Sequence, residues 1–149
     1  GNDYALIELE RVVENRSPLK FRQKNKIADK STLFALSFPS GVGLTYIPNG
    51  KIRENDQDFF FVTNLDTFHN SSGSPVFNQR SGLVEGLLVR GALDYIYDEE
   101  KECNRLNRCP GKESGEDCEG EAVVRITVIP ELAPGMTPIK PEFDLSLAP

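Results

Sequence analysis

The residues of this chain that could do covalent chemistry lie in one stretch, Asn70-Ser71-Ser72-Gly73-Ser74-Pro75-Val76-Phe77. A serine sits between a polar pair and a glycine, with a proline and apolar residues behind it. Gly73 lets the backbone pass close to a bound group, and Pro75 fixes φ as the chain leaves the turn. Val76 and Phe77 suit a buried strand. An exposed hydroxyl on such a mount, with backbone N–H groups beside it, is what acyl transfer through a serine requires. The bland alternative is an ordinary Ser/Gly/Pro loop. Asn70-Ser71-Ser72 also matches a glycosylation acceptor, a triplet common by chance. The single histidine, His69, stands three residues before Ser72. The mount that exposes Ser72 would not fold His69 back onto it, so His69 reads as a cleft-wall or surface residue.

The elements that must position this turn are short strands. Residues 32–38 are apolar and end at Pro39-Ser40-Gly41. Residues 44–47 and 51–53 flank Pro48-Asn49-Gly50, and Asn-Gly predicts a hairpin there. Residues 59–63 read as a buried strand leading toward the turn. Residues 74–77 and 83–89 follow, and 123–129 come last. Residues 3–9 read as a further strand. No segment has a period of 3.6. Six short strands spaced by turn signals predict an all-β barrel or sandwich.

Three segments stand apart. Residues 18–31 carry five Lys/Arg and read as a solvated connection, with a short extended piece at Leu19-Lys20-Phe21. Residues 94–121 hold ten acidic residues against four Lys/Arg, and all three cysteines: Cys103, Cys109 and Cys118. We read them as a long stapled surface loop, with one disulfide and one thiol left over in an exported protein. Asp98-Glu99-Glu100 lacks the alternating ligand spacing of a calcium loop and reads as a solvated face. With no histidine among the cysteines, a zinc site would lack its usual fourth ligand. The tail from Pro130 contains five prolines and reads as extended. The predicted organisation is therefore 1–31 as first strand and linker, 32–129 as a barrel carrying the 94–121 insertion, and 130–149 as a Pro-rich tail.

The whole chain has 149 residues and a net charge of −6, enough for one domain with a real core and ill suited to a phosphate backbone. Nucleic acid is thus not an expected partner. No apolar run reaches the length of a membrane span. The opening Gly1-Asn2-Asp3 is not a leader and reads as a cut end or a cloning remnant, consistent with a leader removed from a secreted or periplasmic protein. Nothing in the sequence requires a cofactor or a metal.

Residues 70–78 resemble the nucleophile motif of chymotrypsin-like (trypsin-like) serine proteases. The version Gly-Asn-Ser-Gly-Ser-Pro-Val, of the bacterial glutamyl-endopeptidase-like branch, is the nearest form. Asp3-Tyr4-Ala5-Leu6-Ile7-Glu8-Leu9 resembles that family's aspartate strand, and residues 83–91 resemble the strand after the serine. The resemblance spans roughly residues 3–91, and Val124-Arg125-Ile126 resembles the closing strand. It implies a double β-barrel, of which this chain is the C-terminal six-stranded barrel. It also implies Ser72 as nucleophile, Asp3 as the acid of the triad, and the N–H groups of Asn70 and Ser72 as oxyanion hole. The family's order is His, Asp, Ser, so His69 cannot be the base. The resemblance therefore implies a base in an upstream barrel segment or chain, and an isolated chain without activity.

Two positions depart from the pattern. Asn70 replaces the usual Gly, and Asn is the non-Gly residue most tolerant of φ > 0. Ser71 replaces an Asp or Asn, so activation by an ion pair with a new N-terminal amine is not expected. Asp66 stands where trypsin-like members hold the acid of the primary pocket, implying a Lys or Arg preference. Glutamyl-type relatives with a similar Asp-Thr pair carry a His where Leu88 stands here, so a glutamate preference is not implied. Leu88, Val89 and Arg90 are the further substrate-contact candidates. The reading is a serine endopeptidase acting on peptides or proteins through Ser72. Its rival is a non-catalytic β-barrel of the same type serving binding or assembly. A sandwich with a fortuitous Ser-Gly-Ser-Pro loop explains least.

Overall fold

The computed structural model describes residues 3–108 and 118–134. Alternating apolar residues build β1 (Thr32–Ser37), whose burial pattern places Leu33 and Ala35 inward. The strands that follow are β2 (Thr45–Glu54), β3 (Phe60–Thr63), β4 (Pro75–Asn78) and β5 (Val84–Arg90). After them come β6 (Tyr95–Asp98), β7 (Cys103–Leu106) and β8 (Glu121–Arg125). Six of them close into an all-antiparallel barrel in the order β1-β2-β3-β8-β5-β4. Closure removes the free edges that an open sheet would expose.

The barrel interior is filled by Leu33, Ala35, Ile47, Phe61, Leu65, Val76, Leu88 and Val123. β8 is buried at every position, because β3 and β5 flank it. Gly86 of β5 is required by that closeness: a Cβ there would lie 2.1 Å from the Val124 carbonyl oxygen. Arg125, also buried, donates to the Asn55 and Gln57 carbonyls at 3.1 and 2.9 Å and lies over the Phe61 ring. These bonds hold the β2–β3 connection against the barrel.

Several expectations change. Asn49-Gly50 makes no hairpin. It sits inside the continuous strand β2, where the pairing slips by one residue between Leu33↔Gly50 and Ala35↔Ile47. Asn49 takes φ 64°, and Gly50 leaves room for Leu65, whose Cδ2 would lie 2.5 Å from an added Cβ. The same two residues that make a tight turn also make a bulge, and only the facing strand decides between them. The basic connection is not wholly solvated either. Lys20 and Arg22 bracket Val84 with two backbone hydrogen bonds of 2.9 Å, Phe21 pairs with Val84, and Ile27 enters the core.

The segment 94–121 contains the β6–β7 hairpin, and Asp98 there is partnered by Lys101 and Arg105. Cys118 is disulfide-bonded and Cys103 is a free, exposed thiol, while Cys109 lies outside the described residues. The last strand stops at Arg125, and a 3-10 turn covers Ile126–Val128. A second covers Pro130–Leu132, and the predicted extended tail beyond 134 lies outside the described residues.

Residues 3–9 form no strand. A strand needs a neighbour for its N–H and C=O groups, and nothing among the described residues pairs with this one. Leu6, Ile7 and Leu9 are exposed, as are Val12 and Val13. No helix among the described residues is long and apolar enough to cross a membrane.

Candidate active site

The turn before β4 is built from backbone hydrogen bonds. Ser71 N–H donates to the Phe68 carbonyl at 3.0 Å and Ser74 N–H to the Ser71 carbonyl at 3.1 Å. Gly73 N–H reaches the Leu88 carbonyl at 2.7 Å, and Leu88 N–H returns to the Ser74 carbonyl at 3.0 Å. The turn is thus stitched to β5. Asn70 and Gly73 hold φ at 69° and 86°, the left-handed values that an Asn and a Gly tolerate best. The N–H groups of Asn70 and Ser72 have no acceptor among the described residues.

The three serines have different surroundings. Ser71 is 1% exposed and its hydroxyl is without a partner among the described residues. The Ser74 hydroxyl is bonded to Ser37 Oγ of β1 at 2.9 Å. Ser72 is exposed, and its hydroxyl donates to the Val89 carbonyl at 3.4 Å, a long and weak bond. Ser72 is therefore the accessible hydroxyl of the turn.

The other expected site residues divide. Asp66 is exposed and lines a cavity of about 510 Å³. Val89 meets Ser72 through its carbonyl alone. Leu88 does not present its side chain to a cleft: it is 2% exposed and part of the barrel core, because alternation along β5 turns it inward. Arg90 lies over the Phe60 ring on β3, 5.8 Å from the centroid. His69 is exposed. Its N–H is held by Asp94 Oδ2 at 2.7 Å and its carbonyl by Ser40 N–H at 2.8 Å, and its ring has no hydrogen-bond partner among the described residues. Asp3 is exposed and makes no hydrogen bond or ion pair among the described residues.

Three residues matter that the sequence reading left out. Glu121, at the start of β8, is buried at 7% exposure and accepts a hydrogen bond from the Thr67 hydroxyl. Burial pushes its carboxyl up to about 7, the charges of Asp94 and Asp66 push the same way, and bonds from Thr67 and the Ala92 N–H partly oppose them. Glu121, Thr67 and Asp94 line the cavity with Asp66. A signal was available: Val123 faces the core, so period two turns Glu121 inward as well. The acidic surroundings in sequence hid it.

No protein-family model matches the chain, and no curated relative matches it. Solved structures do. The active form of the Rv3671c protease from M. tuberculosis is similar with a TM-score of 0.52 and 17% identity, over 85% of this chain and 52% of that one. The inactive form of the Rv3671c protease gives 0.50 and 19%, over 75% and 51%. The chain spans about half the length of the solved structures it matches. At such identity the likeness is one of fold: this is a six-stranded barrel of the chymotrypsin-like protease type.

Proposed function

We propose that this chain carries the nucleophile side of a serine endopeptidase and that Ser72 forms the acyl-enzyme. One observation carries the reading. Ser72 is the one exposed serine of the turn, on a mount fixed by Asn70 and Gly73, beside two N–H groups with no acceptor among the described residues. In the reaction Ser72 Oγ attacks the substrate carbonyl. The resulting oxyanion takes hydrogen bonds from the Asn70 and Ser72 N–H groups. The serine proton passes to an imidazole base and from it to the leaving amine, and water then hydrolyses the ester.

His69 is not assigned as the base: it follows Asp3 in the chain, against the family's order, and its backbone is held by Asp94 and Ser40. The reading places the base, and the surface on which Asp3 docks, in polypeptide outside these 149 residues. The exposed Leu6, Ile7 and Leu9 support a missing apolar neighbour for that segment. The disulfide at Cys118 supports an exported protein, secreted or periplasmic in a bacterium. The motif keeps the Ser-Gly-Ser-Pro-Val order of the glutamyl-endopeptidase-like branch. Leu88, buried in the core, gives that branch's glutamate preference no support.

A second reading, a non-catalytic barrel for binding or assembly, is favoured by Asp3 having no hydrogen-bond or ion-pair partner among the described residues. Labelling with a fluorophosphonate decides. The full-length protein is expected to be labelled at Ser72, with labelling lost in Ser72→Ala and slow in the isolated chain. A folded full-length protein that takes no label overturns catalysis and leaves the binding module. Normal-rate labelling of the isolated chain overturns the external base.

A further inference from the structure

The peptide unit between His69 and Asn70 carries one of the two N–H groups beside Ser72. Its carbonyl, that of His69, accepts from Ser40 N–H at 2.8 Å. The N–H of the unit before it, that of His69, donates to Asp94 Oδ2 at 2.7 Å. A trans peptide is planar, with its C=O and N–H pointing in opposite directions. With the His69 carbonyl turned to Ser40, the Asn70 N–H therefore points away from the Pro39–Gly41 turn, and it has no acceptor among the described residues.

This direction works against the residue that carries it. Asn70 holds φ at 69°. Rotating the peptide unit by half a turn would bring that φ to about −110°, inside the broad region that residues with a side chain prefer. The rotated unit would aim the His69 carbonyl where the Asn70 N–H now points, an acceptor in place of a donor. Two arrangements of one peptide thus compete, and local backbone preference favours the one that cannot hold an oxyanion.

Two segments distant in sequence oppose that preference. Ser40 follows β1, which is tied to the same turn where Ser37 Oγ accepts from the Ser74 hydroxyl at 2.9 Å. Rotation would set the Asn70 N–H against the Ser40 N–H, donor against donor. Asp94 precedes β6. Its carbonyl accepts from Asn107 N–H at 2.8 Å, and the Asn107 side-chain amide donates to the Leu93 carbonyl at 2.8 Å, which closes the base of the β6–β7 hairpin. The Tyr95 ring meets Phe68 with centroids 6.2 Å apart. A peptide unit turns about the line between its two Cα atoms. Asp94 fixes the unit before it, and so the pivot at His69 from which the carbonyl reaches Ser40. Its bond is charge-assisted, and its side chain is half-buried, where water competes less for the carboxylate.

We propose that Asp94 is a positioning residue: by holding the His69 N–H it keeps the His69 carbonyl on Ser40 and the Asn70 N–H aimed at the oxyanion. That this sets a rate rests on Ser72 being the nucleophile; that it sets the direction of the peptide does not.

The test uses the full-length protein and two readouts, turnover of a peptide substrate and the three-bond HN–Hα coupling of Asn70 in 15N-asparagine-labelled protein. Asp94→Ala is expected to lower kcat at least about tenfold with KM changed less than about threefold, as losing a donor to the oxyanion does. The Asn70 coupling is expected to rise from the intermediate value of a positive φ to the large value of an extended one. Asp94→Asn keeps an oxygen to accept and is expected to stay within about threefold of the parent. It also removes the charge that acts on Glu121, so it separates the hydrogen bond from the field in the cavity. Gly has no preference against positive φ, so Asp94→Ala placed in Asn70→Gly is expected to cost less than about threefold. Where Asp94→Ala does not fold, Asp94→Ser, one bond too short to reach the amide, takes its place. An unchanged kcat or coupling, a loss confined to KM, an equal loss in Asp94→Asn, or no rescue by Asn70→Gly would overturn the proposal. In a protein that takes no fluorophosphonate label the Ser72 reading falls, and the coupling alone upholds or rejects the hold of Asp94 on the peptide.

Discussion

Glu121→Gln is expected to flatten the dependence of stability on pH. Glu121 titrates at about 7 in the fold against 4.5 ordinarily, so between those values the native state holds a proton that the unfolded chain has lost. The slope of unfolding free energy with pH follows unfolded minus native protons bound, which is negative here. This group therefore costs nothing below about pH 4, and the fold loses stability as pH rises through the window to about 7. At about 1.4 kcal/mol per pH unit the full interval sets a ceiling of about 3 kcal/mol. Water at the cavity wall and local relaxation reduce that to about 1–2 kcal/mol. Gln mimics the neutral, protonated acid and keeps one oxygen to accept from Thr67. Urea unfolding at about pH 5 and about pH 8 gives four free energies, whose double difference isolates Glu121 from every other titrating group. The variant is expected to gain about 1–2 kcal/mol on the parent at the higher pH and little at the lower. Equal effects at both pH values, or a variant destabilised at the higher one, would refute the account of a buried acid held protonated by its surroundings.

Two further outcomes follow from the barrel. Arg22 donates through Nε and, at 3.0 Å, through Nη2 to Glu85, which is buried, and that bond raises the Arg22 pKa. Arg22→Met strands the carboxylate and is expected to cost about 2–3 kcal/mol in chemical denaturation, with Arg125 offsetting part; a change within about 0.5 kcal/mol would mean that the linker is not anchored there. Gly86→Ala forces a Cβ against the Val124 carbonyl and is expected to cost about 3 kcal/mol or to prevent folding, whereas Gly43→Ala, with nothing within 4 Å, is expected to change the thermal midpoint little; similar midpoints would show that β5 and β8 are not so close.

Much of the barrel was legible because its signals are local. Period-two apolar runs found β1, β3, β4 and β5, and Ser-Gly-Ser-Pro found the turn between β3 and β4. The misreadings share a cause. Asn49-Gly50 satisfies a turn and a bulge equally, and the choice belongs to Leu33 and Leu65, which approach from elsewhere in the chain. Residues 3–9 have strand composition and no strand, since pairing is a property of two segments.

By itself the sequence determined the type of fold and the turn in which a serine is held, because φ preferences and alternation are written residue by residue. It did not determine which hydroxyl water can reach. That followed from Ser71 turning inward and Ser74 finding Ser37, contacts made only on barrel closure. Nor did it reveal Glu121 as more than one acid among ten, since a carboxyl's titration depends on what surrounds it in space. Tertiary structure gathered Glu121, Asp66 and Asp94 from three separate segments around one cavity, where burial first and the nearby charges of Asp94 and Asp66 second raise the Glu121 carboxyl.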